Sequence, residues 1–178
     1  MKQGYAIKEF NEHMAKALGR ALPISAKQAV EICSFIRNKN LQKAKATLSG
    51  VIAKKIPVPY KRYNRSMGHK PGKLSVGRYP AKACKHILAI LESAESNAQV
   101  KGLNTSNLVI THICAQKAGL QMHYGRKRGT KMKRTHIEVV LEEKAEKKPA
   151  EKTAKKAEAK VEKQKPAKLE PKTGGFQA

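Results

Sequence analysis

A chain of 178 residues with 38 Lys plus Arg against 13 acids, every acid a glutamate, carries a formal charge of +25, which excludes the ordinary soluble surface that mixes both signs. The segment 144–178 contributes +6 (11 Lys, 5 Glu) and leaves +19 on residues 1–143, where no acid stands between Glu31 and Glu92 or between Glu95 and Glu138. Such single-sign stretches point to a polyanion. Nucleic acid comes first, because phosphates reward Lys and Arg through counterion release; an anionic membrane would call for a basic helix with bulky apolar residues opposite the charges, and none is evident. Cys33, Cys84 and Cys114 lie far apart in apolar patterns. They form neither a disulfide framework nor a zinc ligand set, and read as small buried side chains in a reducing, cytosolic compartment. No run reaches transmembrane length, and Met1–Phe10 lacks the apolar region of a signal peptide.

In chain order, Gly4–Lys8 reads as a short edge strand. The first firm helix opens at Ser25, where Ser25 and Gln28 have the spacing of a capping box, and Ala26, Ala29, Val30, Cys33 and Ile36 share one face. Asn38–Asn40 breaks it. A second helix follows, with Leu41, Ala44, Leu48, Val51 and Ile52 inward and Gln42, Lys43, Lys45 and Lys54 outward. From Ile56 to Tyr79, Pro57, Pro59 and Pro71 forbid regular structure, while Gly68, Gly72 and Gly77 permit tight turns. Lys61, Arg62, Arg65, Lys70, Lys73 and Arg78 are interleaved there with Tyr60, Tyr63, His69 and Tyr79, a composition that suits RNA, where rings and guanidinium planes stack on bases. Pro80 opens the longest helix, whose stripe is Cys84, Ile87, Leu88, Leu91, Ala94 and Ala98, and Gly102 ends it.

Residues 108–142 read as one long β-hairpin. Leu108–Ala115 are strand formers, and Ile137, Val139 and Leu141 alternate with His136, Glu138 and Glu142 as in a half-buried strand. Between the arms lie three glycines with Arg126, Lys127, Arg128, Lys131, Lys133 and Arg134. An ordinary hairpin turn needs two to five residues. About 16 residues per arm, extended throughout, would reach roughly 50 Å, whereas a domain of about 100 residues has a radius of gyration near 13 Å. The tip is thus expected to protrude and to need an anionic surface to order it. Beyond Glu143 the composition of Lys, Glu, Ala and Pro cannot offset its ordering entropy, so 144–178 is expected to be a disordered tail.

Catalytic and metal chemistry find no support. Gly68–Lys73 has three residues between its glycines and Leu74 after the lysine, where a phosphate-binding loop needs four and a Ser or Thr. The six histidines share no ligand spacing, and His112, within a strand pattern, reads as a hydrogen-bonded sheet histidine. No carboxylate pair is flanked by a nucleophile or base. The reading is therefore a non-enzyme with no cofactor and no metal.

Several stretches carry a family resemblance. Ile56-Pro-Val-Pro-Tyr-Lys-Arg-Tyr-Asn64, Gly68-His69-Lys70 and Gly77-Arg78-Tyr79-Pro80 with Lys82 and Ala83 resemble the archaeal and eukaryotic branch of universal large-subunit ribosomal protein family twenty-two. Gly19-Arg20, Ile24-Ser25, Glu31-Ile32-Cys33, Asn97-Ala98, Lys101-Gly102-Leu103, Ala115-Gln116-Lys117 and His136-Ile137-Glu138-Val139 support it over about residues 4–143. The resemblance implies a structural protein of the cytoplasmic ribosome bound to large-subunit rRNA and to neighbouring large-subunit proteins. Its hairpin would line the tunnel and meet the nascent polypeptide. The tip departs from the family, since Gly125–Lys131 is shorter and differently ordered.

Together these readings give an α+β fold: a small antiparallel sheet packed on three helices, with a protruding hairpin (108–142) in an rRNA-binding domain, 1–143, and a tail, 144–178. The candidate rRNA-binding residues are Lys61, Arg62, Tyr63, Arg65, His69, Lys70, Lys73, Arg78, Lys82, Arg126, Lys127, Arg128, Lys131, Lys133 and Arg134. The candidate tunnel-lining tip is Met122, His123, Tyr124, Arg126 and Arg128. The alternative is a basic protein that binds duplex DNA without sequence preference.

Overall fold

Three strands, β1 (Met14–Leu22), β4 (Leu108–Lys117) and β5 (Thr135–Glu143), form an antiparallel sheet in the order β1–β5–β4. The computed structural model describes residues 5–7, 10–72 and 74–144, so the expected tail lies outside the described residues apart from Lys144. Because β5 is central, Ile137, Val139 and Leu141 are buried on the helix side and Glu138 and Val140 are buried on the other. This corrects the expectation of a half-buried strand with Glu138 in water. Glu138 is 2% exposed: its Oε2 accepts the Ala6 N–H at 3.0 Å, and His112 Nε2 lies 3.0 Å from its Oε1. His112 is thus the hydrogen-bonded sheet histidine expected.

The third strand is not Gly4–Lys8. Tyr5–Ile7 has no strand conformation, Gly4 and Lys8 lie outside the described residues, and Met14–Leu22 takes the edge instead. Its inward positions, Ala15, Ala17 and Gly19, are too small to announce a strand by propensity. They are small because a helix comes close: a Cβ on Gly19 would meet Ile90 Cδ1 at 2.4 Å. In β4 the register slips between Ile110 and His112, leaving Thr111 as an extra residue. That bulge lets Leu108, Ile110 and Ile113 all be buried while His112 turns to Glu138.

Helices α1 (Ala26–Ile36), α2 (Leu41–Ile52) and α3 (Ala81–Val100) follow the predicted stripes, with Ile32, Ile36, Leu41, Leu48, Ile87 and Leu91 among the fully buried side chains. Ser25 occupies the N-cap position of α1 but makes no side-chain cap bond, so the capping box with Gln28 is not formed. Asn40 does cap α2, accepting from Gln42 N–H at 2.9 Å. The break between them serves the sheet: Asn38, at φ 61°, donates its N–H to Ile110 O at 2.8 Å, and Ile110 donates to Lys39 O at 3.0 Å. Helix α3 ends in a Schellman turn, Leu103 N–H to Ala98 O at 3.0 Å and Gly102 N–H to Gln99 O at 2.9 Å, with Gly102 at φ 74°. Cys33 and Cys84 are buried, and burial pushes both thiols up to about 12. Cys114 is only half-buried, against expectation.

The stretch Ile56–Tyr79 is more regular than its prolines suggest. Strands β2 (Val58–Pro59) and β3 (Gly77–Arg78) pair at its neck, Tyr60 N–H reaches Val76 O at 3.1 Å, and His69 bridges to Val76. Gly77 makes the neck possible, since a Cβ there would sit 2.9 Å from Val58 O.

The hairpin ladder ends at Lys117↔Thr135, shorter than the continuous arms expected. Beyond it the two arms stay together through single backbone bonds: Ala118 N–H to Arg134 O (3.1 Å), Met132 N–H to Gln121 O (2.7 Å) and His123 N–H to Thr130 O (3.0 Å). A 3-10 turn, Gly125–Lys127, caps the tip. Glycines and like charges give this part few cross-strand side-chain pairs, so pairing persists without a regular ladder. From Gly119 to Lys131 every residue but His123 is exposed.

Candidate nucleic-acid interface

The basic loop is anchored by a residue of opposite charge. Glu31, on α1, is 3% exposed. Its Oε2 accepts the N–H of Lys61 at 3.1 Å, and its Oε1 accepts those of Arg62 at 2.8 Å and Tyr63 at 2.7 Å. A carboxylate held by three amides fixes the backbone while the Lys61 and Arg62 side chains remain exposed. The anchor also engages the acid beneath the loop, and no carboxylate lines the grooves that flank it.

The elements converge so that one end of the molecule carries a single sign. Helix α3 runs antiparallel beside β1: Asn97 Nδ2 donates to Lys16 O at 2.8 Å and Lys101 Nζ to Met14 O at 2.6 Å. The start of α3 thus lies beside the end of β1, where Lys82 shares a groove of about 380 Å3 with Pro23, His123, Lys131, Met132, Lys133 and Arg134. Strand β5 begins at the same end, since Thr135 Oγ1 donates to Ile24 O at 3.0 Å. At the opposite end Glu142 pairs across to Met14 and Val109, Glu143 lies opposite Leu108, and Glu95 on α3 forms an ion pair with Lys45.

At the cationic end, a groove of about 500 Å3 runs between the first turn of α1 and the hairpin base, lined by Lys27, Val30, Tyr63, Ala115, Lys117, Leu120, Lys133 and Arg134 among others. A second, of about 340 Å3, is lined by Lys27, Arg62, Tyr63, Asn64, Arg65, Met67 and Arg78. Lys27 Nζ and Arg62 Cζ stand 5.7 and 5.8 Å from the centroid of the Tyr63 ring.

The structure therefore brings Arg62, Tyr63, Arg65 and Arg78 together, and joins Tyr63 to Lys133 and Arg134 and Lys82 to His123 and Lys131. Lys61 and His69 are exposed beside them; Lys70 is half-buried, with Nζ 5.5 Å from the centroid of the Tyr79 ring. Arg134 is half-buried and already committed, donating to Gln121 Oε1 at 3.0 Å and Ala21 O at 3.4 Å. Arg126, Lys127 and Arg128 stay exposed at the tip with Met122 and Tyr124, 55% and 88% exposed, apart from these grooves. Lys73 lies outside the described residues. Tyr60, one of the rings expected to be available for stacking, is 4% exposed and belongs to the core. Sequence reasoning missed Lys27 and Lys117 as groove residues. Lys27 carried a signal all the same, a cation in a first helical turn, where acids are favoured. Glu31 entered only as the boundary of an acid-free stretch and as part of the resemblance.

Among the described residues no helix is long and apolar enough to cross a membrane. Residues 17–142 match the family described as ribosomal protein L22p/L17e. The chain is 44% identical over 140 residues to the large ribosomal subunit protein uL22 of Methanosphaera stadtmanae, an alignment that covers 75% of this chain and 91% of that one. It is 43% identical over 149 residues to the protein of the same name from Methanocaldococcus jannaschii, covering 80% and 96%. With that of Archaeoglobus fulgidus it shares 44% over 123 residues, covering 67% and 79%.

Proposed function

We propose an architectural role from one premise: the chain belongs to the ribosomal protein L22p/L17e family, and is a structural, non-enzymatic constituent of the large ribosomal subunit in the cytoplasm. Its cationic end binds large-subunit rRNA, with the anchored loop, the start of α3 and the hairpin each neutralising phosphates. Drawn from separate parts of the chain onto one end, these cations tie together the RNA segments that meet there, and the opposite, mixed-charge end is left for neighbouring proteins. The distal hairpin, too poor in cross-strand side-chain pairs to order itself fully, lies along rRNA and forms part of the nascent-peptide tunnel wall, with the exposed Met122, Tyr124, Arg126 and Arg128 toward the nascent chain and His123 kept in the groove beside Lys82.

The observation that carries this reading is that no carboxylate lines the grooves spanning the loop and hairpin base, while Glu31 beneath the loop is buried and committed to backbone amides. Each phosphate that is no longer neutralised should reduce the slope of log affinity against log salt by about 0.7–0.9. Replacing Lys61, Arg62, Arg65 and Arg78 together by glutamine is expected to flatten that slope for rRNA fragments by about 3 and to weaken binding. An unchanged slope would make the loop a solvated connector. Co-sedimentation of the chain with large subunits through a high-salt gradient separates this reading from nonspecific DNA binding.

A further inference from the structure

Phosphate neutralisation accounts for the cations of this end but not for the apolar side chains among them. The apolar side chains Val30, Ala115 and Leu120 line the larger groove and Met67 the smaller one, and Tyr63 and Lys27 line both. A duplex has no use for such an apolar lining, because its bases are stacked inward and it is read through backbone and groove shape. An unstacked nucleotide needs the combination found here: an aromatic face, an apolar recess and cations placed for the flanking phosphates. Both grooves, at about 500 and 340 Å3, fall within the range of roughly 300–1,000 Å3 that encloses a small ligand.

We infer that the two grooves seat successive unstacked nucleotides of a single-stranded RNA segment, one on each side of Tyr63, with Lys27 and Arg62 at their phosphates. This rests on the proposed rRNA binding and adds to it the kind of RNA and the place. Tyr63 is suited to divide the bases because its backbone N–H is held by Glu31 at 2.7 Å, so the backbone from which the ring projects is fixed before RNA arrives. Its partial packing against the core keeps one part of the ring fixed while the rest lines the grooves. No carboxylate lines either groove to repel the backbone.

The test uses the full chain, a 2-aminopurine-labelled single-stranded RNA of about ten nucleotides, within the site sizes of single-strand binders, and a duplex of the same length. Wild type is expected to bind both and to change the fluorescence of the single strand. Tyr63→Leu should bind the single strand about tenfold more weakly and abolish the fluorescence change, with duplex affinity unchanged, whereas Tyr63→Phe should behave as wild type. Leu120→Glu, at a side chain 40% exposed and outside the core, should likewise weaken the single strand more than the duplex, which guards against misfolding of the tyrosine variant. Single-strand binding unaffected by either Tyr63→Leu or Leu120→Glu, or equal losses on both RNAs, would overturn the inference and leave rRNA binding standing. Failure of wild type to bind either RNA would overturn both.

Discussion

Replacing Glu31 by alanine is expected to destabilise the chain by about 3 kcal/mol and to release the loop at its neck. The carboxylate satisfies the N–H groups of Lys61, Arg62 and Tyr63, and hydrogen bonds to a charged acceptor contribute roughly 1.5–3 kcal/mol each when nothing replaces them. Three such bonds would sum to more, but the donors are only partly buried and water entering the space will recover part of the loss. Urea unfolding gives the stability, and amide hydrogen exchange at residues 61–63 gives the local effect. Exchange should accelerate at these three amides more than in α1 itself. RNA affinity should fall with every cation still in place, because Tyr63 and Arg62 would no longer be held in position. Unchanged exchange and a stability change below about 0.5 kcal/mol, the range of ordinary surface substitutions, would show that the carboxylate does not hold the loop.

The second large effect concerns the tip. Replacing Gly119–Lys133 by Asn-Gly closes the hairpin directly on the Ala118–Arg134 pair, which already has its 3.1 Å backbone bond, and a two-residue turn of this kind matches the twist of the strands. The removed residues are largely exposed, so cooperative unfolding should persist near the wild-type midpoint. The shortened protein should enter large subunits, since the loop and α3 still reach rRNA. Ribosomes carrying it should respond differently to tunnel-binding drugs or stalling peptides. Failure to incorporate would make the tip an assembly clamp, and wild-type responses throughout would remove it from the tunnel wall.

The helices were legible because their apolar stripes recur at helical spacing, and so was β5, whose alternation is strong. What escaped was set by tertiary proximity. β1 hides because its inward residues Ala15, Ala17 and Gly19 are small, Gly19 because Ile90 of α3 comes against it, and a strand of tiny residues has no propensity signal. The burial of Glu138 could not be seen because its partners, Ala6 and His112, come from distant parts of the chain. The candidate cations were readable from charge alone, yet charge does not say which of them meet. Lys27 and Lys117 join the grooves through the packing of α1 on β4, and Glu31 became an anchor only once the loop folded over it. The tyrosines show the same limit. Tyr60 and Tyr63, three residues apart in one basic loop, divide into a core residue and a groove residue by the path of the backbone.

The most direct measurement of the central claim is lysine reactivity toward acetylation, read by mass spectrometry on the free protein and on the protein within large subunits. If the cationic end is the rRNA face, Lys27, Lys61, Lys82, Lys117 and Lys133 become less reactive on incorporation by far more than Lys43 and Lys101, which lie away from it. Equal protection at both ends, or protection confined to Lys43 and Lys101, would contradict the account.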